Sequence, residues 1–354
     1  MQTPSSAIGR EIKTTGARIA GVVACVPAKQ VGNDFFAQTL GAGPVDDIVK
    51  MIGVHSRRWA DAHTTTLDLC RHAGQVLLQS LQWEPASVDA LIFVSQTPDY
   101  RLPASACVLQ TELDLPLACI AFDVNLGCSG YPYALWLGMS MIQTGAARRV
   151  LLAIGDTPSK IVDLNDRATA LLFGDAGTVT ALEAAAADKE AHFIMGSDGR
   201  GAMNLVIPAG AYRAYDHAAD ARMAGKDPAC VFMDGEEVFN FTLQSVPPLV
   251  NRTLAFADKP SAAYDAFLFH QANQLMIKHL AKKAKLPAER VPININRYGN
   301  TSSASIPLLM CTDLKERLQT ENLQLAMFGF GVGYSWASAS LAVGPLQVVE
   351  TVEL

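Results

Sequence analysis

Short apolar runs recur along this chain at intervals that leave room for a helix between them. Ala90–Val94, Ala118–Val124, Val150–Ile154 and Thr178–Leu182 read as buried strands in the first half, with Ala266–Phe269, Pro292–Ile295, Leu325–Phe328 and Trp336–Val343 in the second. Helical patterns separate most of them, which predicts an α/β fold with sheets covered by helices. Ile19–Val26 reads as a first core strand. Arg10, Lys13 and Arg18 before it faintly resemble a secretion signal, but the apolar run is short and Glu11 and Arg18 interrupt the pattern, so a strand is the simpler reading. The longest apolar stretch, Val124 to Ile142, contains Asn125, Ser129 and Pro132 and reads as a buried helix, not a membrane span.

The two halves follow one plan. Tyr100-Arg-Leu-Pro-Ala-Ser-Ala106 echoes Tyr298-Gly-Asn-Thr-Ser-Ser-Ala304, and Phe173-Gly-Asp-Ala-Gly177 echoes Phe330-Gly-Val-Gly333. Repeats at this scale suggest duplication, against chance similarity of small-residue turns. The polar stretch from Ala209 to Pro228 reads as a surface loop or cap between the halves.

Composition narrows the class of function. A chain of 354 residues, 50% apolar and 18% charged, can bury a large core. A net charge of −6 and no basic stripe with interleaved aromatics argue against a nucleic-acid partner. The seven cysteines, at 25, 70, 107, 119, 128, 230 and 311, have neither Cys-x-x-Cys spacing nor the density of a disulfide scaffold, and read as reduced thiols of a cytoplasmic enzyme. No His, Cys and carboxylate cluster has metal-ligand spacing, so neither a metal nor a cofactor is expected.

Three segments carry candidate chemistry. Ala121-Phe-Asp-Val-Asn-Leu-Gly-Cys-Ser-Gly130 reads as a buried strand, a tight turn and a thiol at the start of a helix running to about Thr144. Unpaired N–H groups and the positive end of the helix dipole favour thiolate there, and Gly127 and Gly130 let backbone crowd the site. Phe267-Leu-Phe-His-Gln-Ala-Asn273 ends an apolar strand on His270 and opens a helix, and Tyr298-Gly-Asn-Thr-Ser-Ser-Ala-Ser-Ile-Pro307 places Asn300 at another helix start. Taken singly, such a cysteine is more often inert core, such a histidine a satisfied side chain, and an asparagine beside glycine a turn residue. Together they form a Cys, His and Asn set.

With Thr97-Pro-Asp-Tyr100, Asp166-Arg167 before Phe173-Gly-Asp-Ala-Gly177, Met233-Asp-Gly235, His270-Gln-Ala-Asn273, Asn300-Thr-Ser302 and Gly329-Phe-Gly-Val-Gly-Tyr-Ser-Trp336, this set resembles the β-ketoacyl-acyl-carrier-protein synthase III family of the thiolase superfamily. The motifs recur in the family's order over nearly the whole chain. The resemblance implies a duplicated five-layer αβαβα fold, with residues 1–185 forming a half that carries the cysteine and residues 186–354 a half that carries His270 and Asn300.

The resemblance also implies roles. Cys128 accepts an acyl group as a thioester, and His270 and Asn300 hydrogen-bond the carbonyl of a malonyl-type thioester. Loss of carbon dioxide then leaves an enolate that attacks the acyl-Cys in a decarboxylative Claisen condensation. The backbone N–H groups of Cys128 and Val332 would hold an oxyanion on the acyl group. Arg167, Leu102 and Asn273 fall at substrate-binding positions. The expected partners are an acyl thioester on CoA or acyl carrier protein, a malonyl-type thioester, acyl carrier protein itself and a second copy of the chain, with no nucleic acid and no membrane.

Some positions depart from the family. In the type III synthases that begin fatty-acid synthesis an arginine and a tryptophan hold the CoA adenine; Arg167 matches the arginine, but Asp47 falls where the tryptophan stands and Met51 where a further arginine does. Val332 replaces a more usual glycine, and Leu102 an aromatic residue that commonly limits chain length. Lys278, Lys282 and Lys285 fall at i, i+4 and i+7 on the expected helix after His270, a basic face suited to an acidic carrier protein or simply to solvent. The same acyl-Cys would also serve transfer to an alcohol or amine, or condensation of two acyl chains without malonate. A non-catalytic acyl-binding partner subunit is the reading from a different class, against which the intact trio speaks.

Overall fold

The structure is a computed structural model that describes residues 8–216 and 220–354. Its main strands are β1 (Arg10–Thr15), β2 (Ala17–Val26), β3 (Ala90–Val94), β4 (Ile120–Val124), β5 (Arg149–Asp156), β6 (Ala176–Ala184), β7 (Glu190–Ser197), β8 (Ala266–Phe269), β9 (Leu323–Gly331), β10 (Ser335–Val343) and β11 (Val348–Glu353). They form one sheet in the order β11-β2-β6-β5-β3-β4 and another in the order β1-β7-β10-β9-β8.

One pairing scheme runs through both sheets. The parallel pair β3 and β5 matches β8 and β9, the antiparallel pair β5 and β6 matches β9 and β10, and β6 with β2 matches β10 with β7. The outermost strands are exchanged between halves: N-terminal β1 pairs antiparallel with β7, and C-terminal β11 pairs parallel with β2.

The strands expected at 90–94, 118–124, 150–154, 178–182, 266–269, 325–328 and 336–343 are present, most of them longer than their apolar cores. Pro292–Ile295 is not a strand. Pro292 has no N–H to give a ladder, Asn294 donates its N–H to the Gln271 side chain at 3.1 Å, and a short helix, Ile295–Tyr298, begins instead. The second sheet therefore has no counterpart of β4. Edge strand β1 is hard to read in the sequence because its side chains alternate charge with partial burial.

Helices complete five layers. Thr66–Leu81 and Ser105–Glu112 cover the outer face of the first sheet, and Gly235–Phe256 and Gln274–Lys283 that of the second. Gly130–Gln143 and Ser305–Thr312 lie between the sheets, where residues such as Tyr131, Leu135, Leu309 and Met310 meet Val22, Leu152, Phe193 and Met327. A helix between two apolar sheet faces must be apolar nearly all round, and both central helices are. Gly138 marks how closely the first of them crosses its sheet: a Cβ there would lie 2.6 Å from Leu182 Cδ1. The expected helix beginning at Cys128 starts two residues later, at Gly130.

Local chemistry sets the outer helix ends. Thr65 caps Thr66–Leu81 in a reciprocal box with Asp68, and Asn273 Oδ1 accepts from Met276 N–H at 2.7 Å to start Gln274–Lys283. The described part of the 209–228 stretch is mostly exposed and irregular, as its polarity predicts; residues 217–219 of it lie outside the described residues. Among the described residues no helix is long and apolar enough to cross a membrane.

Leu309 is fully buried between the sheets. Leu309→Ala is expected to cost about 2–5 kcal/mol of stability, seen as a lower urea midpoint with an unchanged slope; a loss below about 1 kcal/mol would mean that the central layer is not the core.

Candidate active site

Strand β4 delivers the chain to a turn at Gly127–Ser129, and β9 runs directly behind it. A Cβ on Gly331 would lie 2.9 Å from Cys128 Sγ, so only glycine lets the two backbones come this close. The backbone N–H groups of Val332 and of Cys128 itself act on the sulfur. These contacts favour thiolate, as the helix start was expected to do. Burial outweighs them: it pushes the Cys128 thiol up to about 12, and the negative charge of Asp156 adds to the effect.

His270 follows the last residue of β8. Its backbone N–H donates to Phe328 C=O at 2.8 Å, and Phe330 stands edge-on to the ring at 5.7 Å. Nδ1 lies 2.8 Å from Ser305 Oγ. That hydroxyl oxygen also accepts from Gln271 N–H at 3.3 Å, and its proton can point at Nδ1, the arrangement that places the ring hydrogen on Nε2. Burial drives the imidazole down to about 3, against a smaller backbone contact with Ser302. His270 is therefore a neutral donor at physiological pH.

Asn300 is held by its backbone and oriented by its side chain. Its N–H donates to Leu172 C=O at 2.8 Å and its C=O accepts from Gly174 N–H at 3.1 Å, a parallel bridge to Phe173. Oδ1 accepts from Ser302 N–H at 2.9 Å, which leaves the amide N–H groups as the end available to a ligand.

Cys128, His270 and Asn300 line one cavity of ≈ 450 Å³ whose wall is otherwise mainly apolar, including Leu172, Met233, Phe239 and Phe330. Met51 and Leu275, 53% and 52% exposed, stand where it opens. Thus two oriented polar donors and a thiol meet in a space poor in water, an arrangement able to hold an acyl-sulfur intermediate and a developing oxyanion.

The other expected site residues divide. Asn273 lines the cavity, but its Oδ1 is engaged as a helix cap, and Val332 reaches the site through its backbone. Arg167 is exposed beside the lining residue Ala168, and does not line the cavity itself. Leu102 is 75% exposed and does not line the cavity. Lys278 and Lys282 are exposed on the outer helix, whereas Lys285 lies past its end in a left-handed turn, so the expected row of three on one helix face is a pair. Ser305, Ser302 and Asp156 join the site without having been expected there; for Asp156, a carboxylate ending the buried run Val150–Ile154 is the sign the sequence holds.

Two family models match the chain: 3-oxoacyl-[acyl-carrier-protein (ACP)] synthase III over residues 122–199, and its C-terminal counterpart over residues 254–343. The beta-ketoacyl-[acyl-carrier-protein] synthase III of Thioalkalivibrio sulfidiphilus is 34% identical over 328 residues, covering 92% of this chain and 99% of the relative. That of Synechococcus elongatus is 35% identical over 330 residues, covering 92% and 96%. The crystal structure of a 3-oxoacyl-(acyl-carrier protein) synthase from Burkholderia xenovorans superposes with a TM-score of 0.97 at 67% identity, covering 98% of this chain and 99% of the other.

The native site resists a proton that the unfolded chain's His270 accepts, so this residue's contribution to stability is present above about pH 6.5 and is lost as pH falls towards 3. Nitrogen-15 NMR is expected to show His270 as the neutral Nε2–H tautomer from about pH 5 to 8; an imidazolium forming near pH 6.5 would contradict the assignment.

Proposed function

The chain belongs to the 3-oxoacyl-[acyl-carrier-protein] synthase III family, and from that premise we propose that its condensing chemistry runs through Cys128, His270 and Asn300. Like the family, it is an acyltransferase that forms carbon–carbon bonds in fatty-acid synthesis. The observation that carries the assignment of residues is their convergence on one largely apolar cavity.

In the first half-reaction Cys128 Sγ attacks the carbonyl of an acyl thioester, and the N–H groups of Cys128 and Val332 receive the oxyanion. The carrier thiol leaves and the acyl group stays on sulfur. Sulfur suits both steps, being a good nucleophile and then a good leaving group. In the second half-reaction a malonyl thioester places its carbonyl oxygen against His270 Nε2–H and the Asn300 amide. Carbon dioxide departs, the enolate oxygen is held by these two donors, and the enolate carbon attacks the acyl-Cys to release a 3-oxoacyl thioester and free Cys128. A neutral imidazole serves this step because it donates without leaving a full charge buried beside the enolate.

Carrier protein is the favoured bearer of the substrates. Met51 and Leu275 make the mouth apolar, and Asp47 is engaged with Lys50 at 3.1 Å, which leaves little there to clasp a nucleotide. Lys278 and Lys282 supply a basic face for an acidic partner. Two copies of the chain pair through β4, the open edge of the first sheet, where Ile120 and the neighbouring Tyr100, Leu102 and Leu117 are exposed. Residues 1–185 and 186–354 act as the two halves, in a cytoplasmic enzyme.

Intact mass after exposure to acyl-CoA and acyl-carrier thioesters tests the roles. An adduct on Cys128 should form and then disappear with malonyl-dependent release of carbon dioxide, and Cys128→Ala should abolish it. His270→Ala and Asn300→Ala should keep the adduct while slowing carbon dioxide release about 100-fold or more. An adduct discharged only by an alcohol, an amine or a second acyl chain would overturn decarboxylative condensation.

Lys278→Glu with Lys282→Glu should weaken turnover of carrier-borne substrates and spare CoA thioesters. Equal loss with both would remove the docking role.

A further inference from the structure

Ser56–Arg58 is a short strand paired antiparallel with Gln30–Gly32, and the strap of chain around it, 55–60, touches both segments that hold Asn300. On one side it grips residues 171–175. Arg57 Nη2 donates to Leu171 C=O at 2.7 Å, Trp59 Nε1–H to Phe173 C=O at 3.1 Å, and Ala60 N–H to the Asp175 carboxylate at 2.8 Å, while Arg58 C=O accepts from Asp175 N–H at 2.8 Å. Between these contacts lie Leu172 C=O and Gly174 N–H, the two groups that bind the Asn300 backbone. On the other side His55 N–H donates to Asn296 C=O at 3.1 Å and Ser56 Oγ to Arg297 C=O at 3.3 Å, within the short helix that leads into Asn300.

Arg57 lies where these segments cross. A Cβ on Gly174 would stand 2.0 Å from Tyr298 O and 3.1 Å from Arg57 Cβ, and one on Gly299, at φ 69°, 2.8 Å from Leu172 O and 3.2 Å from Arg57 Cβ. Only glycines let two backbones and a side chain stack so closely. Arg57 is fully buried, yet its partners Val31 C=O, Leu171 C=O and Asn33 Oδ1 are all neutral, and its Nε has no hydrogen-bond partner among the described residues. A buried cation matched by neutral oxygens is a poor source of stability, and an apolar side chain of similar size would serve packing better. What the guanidinium supplies is direction, because its donors are fixed in one rigid plane.

Resting on the reading of Asn300 as a donor to the malonyl carbonyl, we propose that Arg57 and Trp59 are positioning residues that fix where the Asn300 amide points. Ser302 N–H, which holds Asn300 Oδ1, lies two residues along the same loop and turns with it, so the aim of the amide comes from the backbone that the strap fixes. The other two site residues are held elsewhere: Cys128 is backed by Gly331 of β9, and His270 by Phe328 C=O and Ser305 Oγ. The strap therefore governs the decarboxylating half-reaction and not the acylation of Cys128. A reacting group misplaced by about 1 Å can cost about 100-fold in rate.

The test measures the two half-reactions separately in the full chain. Arg57→Met keeps much of the bulk of the side chain and removes its donors. Release of carbon dioxide from malonyl-carrier protein by the acylated protein should slow about tenfold or more, while acylation of Cys128, read by intact mass, stays within about twofold. Trp59→Phe removes the bond to Phe173 C=O and should slow the same step about threefold or more; it decides the matter if Arg57→Met does not fold. Added to Asn300→Ala, either substitution should slow carbon dioxide release no further, because the group it aims is gone.

A merely structural role would slow both half-reactions together or add its loss to that of Asn300→Ala. Either result overturns the proposal, as does carbon dioxide release that is unchanged in both variants. Carbon dioxide release unchanged in Asn300→Ala alone would instead overturn the reading of Asn300 itself, and the positioning role with it.

Discussion

The peptide of Asn300 is pinned on both sides, its N–H to Leu172 and its C=O to Gly174, and this bridge joins a loop of the second half to the backbone of the first. The first-half segment is itself anchored. The fully buried guanidinium of Arg57 donates to Leu171 C=O at 2.7 Å, to Val31 C=O at 3.2 Å and to Asn33 Oδ1 at 2.8 Å, over the face of Phe36. Because the bridge is made by main chain, the Asn300 side chain is left to Ser302 and the cavity. From there the same loop turns through Ser302 and Ser303 to Asp156, and on through Ser305 to His270. One short segment, 300–305, thus sets the relation between residues from both halves.

Desolvation governs the chemistry of what this segment assembles. Burial moves His270 down, Cys128 up and Asp156 up, in each case towards the neutral form. Fixed N–H donors in a water-poor cavity give most to charge that appears only during reaction, because they need no reorganisation to meet it. The thiol at the turn illustrates the balance: N–H groups and a helix start favour its anion, yet the closeness of β9, whose following residue Val332 supplies one of those groups, also shuts out the water that would favour it more.

The duplicated architecture was legible where a strand is buried on both faces, since β3, β5, β8 and β9 each contain an unbroken apolar run and β6 and β10 interrupt theirs only with small Thr or Ser residues. It was hidden at the edges. β1 carries Arg10, Glu11 and Lys13 and depends on β7 for its pairing, and Pro292–Ile295 has a strand's composition but spends its hydrogen bonds on side chains. The exchange of β1 and β11 between sheets leaves no mark in composition, because pairing across more than a hundred residues is a matter of register and not of local preference.

Among the candidate site residues, the motifs that carry Cys128, His270 and Asn300 were readable from the sequence, since Cys128 and His270 each follow an apolar strand and Asn300 follows the glycine that ends a short helix, and such junctions are written in consecutive residues. The placing of Leu102 outside the cavity and the loss of Lys285 from the helix face were decided by tertiary structure alone. Local order along a chain follows from backbone preference and apolar period. Burial, and the proton affinities and contacts that burial imposes, depend on which distant segments close over a residue, and only the packed fold determines that.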